Sequence, residues 1–242
     1  MFRALAIFLL LPAGALADVE VSTSGGKRCI SSDGLPDHAT GTFPRRGNPN
    51  KISRQNIRFC VDATPEYSGA ARQVPTIGIA LNGVIIRPGT ADWYDPNSPR
   101  KHSRDKSSGW RLDGLGAASQ LGMDQNNAHV DNRGLYHYHG IAEPLVELHE
   151  SSQIGWAADG FEIHYLGDAA RSSYQLKDGK RPTAPFGTYD GTYVQDWEFV
   201  EGSGNLDECN GAMIDGTYTY FATDVFPFYP HCLKGKTITR FR

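Results

Sequence analysis

The sequence predicts a mainly β fold: a single domain, an antiparallel sandwich or barrel-like arrangement with a few short helices. Three observations carry that prediction. Short runs of alternating apolar and polar residues recur along the chain, as in half-buried strands. Gly 27 and Pro 14 interrupt the 242 residues so often that long helices have no room. The 11 Phe, 11 Tyr and 4 Trp supply the bulk for one sizeable core. With 39% hydrophobic and 21% charged residues, the composition is that of a globular chain rather than a disordered one. A formal charge of -3 disfavours a nucleic-acid partner, because phosphate backbones call for a net basic face.

The chain divides into three stretches. Residues 1–17 read as a signal peptide: Arg3 is the positive start, residues 4–11 are apolar, and Ala15-Leu16-Ala17 is the cleavage site. Asp18 then becomes the first mature residue, and the protein is expected to be periplasmic or secreted. An apolar run of that length is too short for a hydrocarbon core of about 30 Å, so no membrane span is expected. Residues 18–50, polar and rich in Gly, Ser and Pro, read as an extended segment that wraps the body, and residues 51–242 as the β-rich body. Export makes four cysteines a disulfide framework rather than a thiolate site. Of the three pairings, Cys29–Cys60 and Cys209–Cys232 are preferred, because each closes a short local loop. Each bridge contributes about 3 kcal/mol by restricting the unfolded chain.

Along the body, residues 56–61 read as a strand with Ile57, Phe59 and Val61 on one face. Residues 76–87 read as a hairpin around Asn82-Gly83, a pair suited to the two positive φ angles of a type I′ turn. The four basic residues within 98–106 read as a solvated loop. Short helices are expected at 117–121 and at 143–150, with Pro144 in the first turn of the latter. Further strands are expected at 135–139, 161–166, 192–199, 216–223 and 236–241. Residues 134–140 and 216–222 echo each other, which predicts two related strand units about a pseudo-twofold.

The chemistry is concentrated near residues 126–140. A strand over 135–139 places His137 and His139 on one face and Tyr136 and Tyr138 on the other. His129, across a turn at Asn132-Arg133-Gly134, folds back beside the pair. Three imidazoles, completed by a carboxylate or water, point to a divalent metal, zinc or copper. The competing reading leaves them as hydrogen-bonded histidines of a core. A calcium loop starting at Asp124 fails, because His129 stands where the glycine is required. His149-Glu150 opens a zincin motif but meets Gln153 instead of the second histidine. A nucleophile elbow, a phosphate loop and a dinucleotide fingerprint are all missing. Asp18 at the mature start also disfavours a copper site built on an N-terminal histidine.

Tyr136-His137-Tyr138-His139 resembles the motif that names the YHYH-domain proteins. The similarity also covers Gly78-Ile79-Ala80-Leu81-Asn82-Gly83-Val84 and Ile154-Gly155-Trp156-Ala157-Ala158-Asp159-Gly160-Phe161. It continues in Gly204-Asn205-Leu206-Asp207-Glu208-Cys209-Asn210-Gly211 and Pro227-Phe228-Tyr229-Pro230-His231-Cys232, so that it runs over about residues 76–235. The resemblance implies an exported single domain and brings no settled activity. Within these segments Asp159 and Asp207 are carboxylates that could join the histidines, with Tyr136, Tyr138, Glu208 and Asn210 as further site candidates. The alternative is that each Asp caps its own turn. The chain departs from the family pattern at Glu162-Ile163-His164-Tyr165-Leu166-Gly167 and at Ala212-Met213-Ile214-Asp215; if the latter stretch walls a pocket in other members, the pocket here is more open or differently lined.

Two functions from different classes follow. The first is an exported metal-binding protein, hydrolytic if a coordination position stays open and metal-handling if it does not. The second is a non-catalytic module that stacks a glycan or small molecule on residues such as Trp93, Tyr94, Trp110, Trp156 and Trp197, or a structural envelope protein.

Overall fold

The computed structural model describes residues 18–147 and 151–241. The signal-peptide reading of residues 1–17 and the His149-Glu150 pair lie outside the described residues. The fold is mainly β, a sandwich-like single domain with several antiparallel sheets and no closed barrel. No described helix is long and apolar enough to cross a membrane.

An eight-stranded sheet forms the centre. Its order is Ala128–Val130, Tyr136–Tyr138, Ile85–Ile86, Gly78–Ala80, Gln153–Ala157, Glu162–Tyr165, Thr217–Ala222, Gly211–Ile214. These are four antiparallel hairpins arranged as two copies of one unit. The copies meet where Ile79 faces Trp156 in antiparallel register. In each unit the second strand of an outer hairpin lies parallel to the second strand of an inner one. Tyr138 is thus beside Ile86 in the first unit, and Tyr220 beside Ile163 in the second. The similarity of residues 134–140 to 216–222 therefore reflects equivalent strands about a pseudo-twofold.

A second equivalence is Gly78-Ile79-Ala80-Leu81-Asn82-Gly83 with Gly155-Trp156-Ala157-Ala158-Asp159-Gly160. The glycines permit the central contact. A Cβ on Gly78 would lie 2.3 Å from the Trp156 carbonyl oxygen, and one on Gly155 would lie 2.6 Å from that of Ile79. The paired glycines let the two units share one sheet without a clash at the axis.

Residues 18–50 hold more regular structure than their composition suggests. Val19–Ser24 and Lys27–Ser32 form a hairpin that continues antiparallel onto Ile57–Asp62. Its turn is Gly25-Gly26, with φ of 56° and 73°, the double positive φ that a two-residue hairpin turn needs. Cys29 lies directly opposite Cys60 in this register and is bonded to it; Cys209 and Cys232 form the second bridge. Ile30, Phe59 and Val61 pack with Ile79, Ile85 and Tyr138 in one buried cluster, which joins the small sheet to the large one.

Three local expectations change. The Asn82-Gly83 hairpin is not a type I′ turn, because only Gly83 has positive φ, 79°. Gly83 N–H donates to the Ala80 carbonyl and Ala80 N–H to that of Val84, a three-residue loop closing on a left-handed glycine. Residues 192–199 begin as a single 3-10 turn, Val194–Asp196, and only Trp197–Phe199 is a strand. The cause is Asp196, whose buried carboxylate draws in the N–H groups of Gly191 and Tyr193. Residues 236–241 form no strand; Leu233–Gly235 pairs with Tyr67–Arg72 instead. Beyond it, Lys236 N–H donates to Glu66 and Thr239 N–H to Ala158, single bonds to different neighbours that build no ladder. The helix expected at 143–150 covers Glu143–Glu147, and its last three residues lie outside the described ones.

Candidate metal centre

Two hairpin strands place the histidines. Ala128–Val130 pairs antiparallel with Tyr136–Tyr138, so that His129 stands directly opposite His137. His139 follows two residues on and projects from the same face as His137. The three rings form a triangle, with centroids 4.8 Å (129–137), 4.7 Å (129–139) and 4.9 Å (137–139) apart. One ligand atom from each lies within 4.8 Å of the others. His137 and His139 are buried, 4% and 2% exposed, and His129 is partly open to a cleft.

Each ring is fixed through its Nδ1. His129 Nδ1–H donates to the Leu121 carbonyl at 2.9 Å, His137 to Leu135 at 3.1 Å, and His139 to Pro88 at 3.0 Å. A carbonyl only accepts, so each Nδ1 carries the proton and each Nε2 keeps a lone pair. Burial, reinforced by Arg87 and the neighbouring imidazoles, pushes the pKa of His137 and His139 well below the ordinary histidine value. Burial lowers that of His129 as well, and the rings are neutral. Nε2 of His129 and Nε2 of His139 then face each other at 3.2 Å. Two lone pairs at that distance repel unless a cation lies between them. An ion bound at about 2.05 Å by two nitrogens at the tetrahedral angle sets them about 3.3 Å apart. The histidine pair already has that spacing. Close packing defines the ring plane as well, since a Cβ on Gly114 would sit 2.4 Å from His139 Nδ1.

The tyrosines of the same strand point the other way, into the core. Tyr136 O–H donates to Asp124 Oδ2 at 2.8 Å, while the Tyr138 hydroxyl meets Asn82 Nδ2 at 2.9 Å and His38 Nε2 at 2.6 Å. The second unit repeats this arrangement. Tyr218 O–H donates to Asp207 Oδ2 at 2.9 Å and Tyr220 O–H to Asp159 Oδ2 at 2.7 Å. Asp207 is the counterpart of Asp124: its Oδ1 accepts from Cys209 and Gly211 as that of Asp124 does from Asn126 and Ala128. Asn210 matches Asn127, both with positive φ, 52° and 56°. Asp159 is the counterpart of Asn82, and Glu208 pairs with Lys234 at 3.0 Å. Asp159, Asp207, Glu208 and Asn210 thus hold the turns and tyrosines of the second unit, away from the histidines. Where the first unit has His129, His137 and His139, the second has Ala212, Thr219 and Phe221, and Phe221 packs against Ala170 and Leu206. Only one half of the duplicated sheet carries the imidazoles.

The histidines form the floor of a cleft of about 590 Å³. Its walls hold Asp92, bonded to His102 Nδ1 at 3.1 Å, and Asp131, paired with Arg87 at 3.0 Å. Arg100, Arg104 and Arg133 complete the rim. Arg100 and Arg104 come from the basic 98–106 run, which is solvated as expected but also borders the cleft. None of the four tryptophans is exposed: Trp110 is buried, and Trp93, Trp156 and Trp197 are half-buried.

The family model described as YHYH protein matches residues 58–235. The chain belongs to the YHYH protein family. No curated protein and no solved structure gives a significant match. In this YHYH protein the four-letter motif divides by strand alternation, its tyrosines tying the core and its histidines facing the cleft.

Proposed function

We propose that this YHYH protein is an exported metalloprotein that holds one divalent ion, zinc or copper, on Nε2 of His129, His137 and His139. The observation that carries the proposal is the pair of facing Nε2 atoms, with all three Nδ1–H groups committed to backbone carbonyls. Three neutral imidazoles suit either ion. Copper is bound more tightly by such nitrogen sites, and zinc is favoured where copper is scarce. Asp159 and Asp207 are left out of the ligand set because turn amides, tyrosines and Lys234 already engage them.

The protein supplies three ligands, and the cleft side of the triangle is left for water or substrate. Zinc held in this way lowers the pKa of its water to about 7 and polarises a bound oxygen, so the reading favours hydrolysis over storage. The chain's own part is to hold the rings in one tautomer and to bury two of them. The apolar leader and the two disulfides support export. The test is the metal content of untagged protein recovered from the export compartment. About one zinc or copper per chain is expected, removed by a chelator and regained on adding the ion. Protein that carries no metal and takes up neither ion would contradict the proposal.

A further inference from the structure

The cleft above the histidines is charged against the character of the whole protein. The full chain has a formal charge of -3, yet four arginines and two aspartates line this cleft. Both acids are engaged, Asp131 by Arg87 at 3.0 Å and Asp92 by His102 at 3.1 Å. Arg100, Arg104 and Arg133 form no salt bridge among the described residues, and all three are exposed at the rim. Free guanidinia concentrated around one cleft of an acidic protein make a local field that attracts anions rather than a general basic face.

We infer that the cleft receives a dianionic phosphoryl group, gripped by Arg100 and Arg104 with Arg133 beside them. One guanidinium matches one carboxylate in a two-bond fork, so a monocarboxylate would leave two of the three unmatched. A phosphate monoester carries about -1.5 to -2 at pH 7 with three acceptor oxygens, which suits several forks at once. The volume of about 590 Å³ admits a small phosphorylated molecule, within the ~300–1,000 Å³ usual for such sites. The metal reading enters only through the ion at the cleft floor, which would add a further positive charge facing the ligand.

The two readings are measured separately. Zinc affinity is titrated first, without phosphate, in wild type and in Arg100→Ala/Arg104→Ala. The variant is expected to bind zinc at least as tightly as wild type, since neither arginine is a hydrogen-bond partner of the three histidines and both are exposed. Inorganic phosphate, phenyl phosphate and acetate are then titrated calorimetrically into zinc-loaded and metal-free protein. Phosphoryl ligands are expected to bind wild type at least tenfold more tightly than acetate, and to lose at least tenfold in the double variant. Tighter binding of phenyl phosphate than of inorganic phosphate would assign the ester, and the reverse would assign the free ion. Acetate binding as tightly as phosphate, or phosphate affinity unchanged in the variant, overturns the inference. If wild type takes up no zinc, the metal reading alone fails. Arginine-dependent phosphate binding by the metal-free protein then still upholds the inference, and its loss overturns it.

Discussion

Replacing His137 and His139 together by alanine is expected to lower zinc affinity by at least a thousandfold, about 4 kcal/mol. The remaining His129 is a single ligand on the cleft side, and a lone imidazole holds an ion weakly. Both rings are buried and bonded to Leu135 and Pro88, so the metal-free variant will also melt several degrees lower. His137→Gln/His139→Gln retains most of the volume and a polar end in place of the ring. It separates ligand loss from the cavity: the metal reading predicts that this variant, too, loses the ion while it folds. Zinc titration by competition with a chromophoric chelator reads both variants. Wild-type affinity in either one would remove these histidines from the ligand set.

Asp196→Ala is expected to destabilise the protein by about 3–5 kcal/mol, a drop in melting temperature on the order of 10 °C. Asp196 is fully buried and accepts from Arg181 Nε at 2.8 Å and Nη2 at 2.6 Å, as well as from the Gly191 and Tyr193 amides. Arg181 is packed over the rings of Tyr193 and Trp110, 4.9 and 5.9 Å from their centroids. Removing the carboxylate leaves a desolvated guanidinium with only the exposed Asp190 to pair with. The loop behind it also anchors the strand Arg111–Asp113, which pairs with the cleft-lining segment from Gly89 to Asp92, because Asp113 N–H donates to Thr192 and Arg111 N–H to Gln195. Zinc affinity measured below the new melting temperature should stay near the wild-type value, since the histidines belong to a different sheet. Thermal melts with and without zinc separate the two effects, and a melting temperature equal to wild type would refute the assigned role.

The elements that were legible in the sequence are those with one buried face. Ile57, Phe59 and Val61 alternate and are buried, and the Tyr-His-Tyr-His alternation placed the histidines together on one side. Val19–Ser24 was missed because five of its six residues are exposed, so solvent left no alternation to read. Several central strands are only two or three residues long, too short for any period. Asp159 and Asp207 look like metal donors in the sequence because both are acids in Gly-rich segments. What they share with Asn82 and Asp124 became visible only when the duplicated sheet paired each with a tyrosine hydroxyl. The basic loop at 98–106 carried no positional information, because the approach of Arg100 and Arg104 to the histidines depends on contacts distant in sequence.

Three imidazoles beside one strand pair are proposed to hold a divalent ion with a position open to the cleft. X-ray absorption at the metal edge of the zinc-loaded protein reads that coordination shell. Three imidazole nitrogens at about 2.0–2.1 Å with one oxygen at similar distance are expected. A shell with fewer than three imidazoles, or one dominated by carboxylate oxygens, would contradict the proposal.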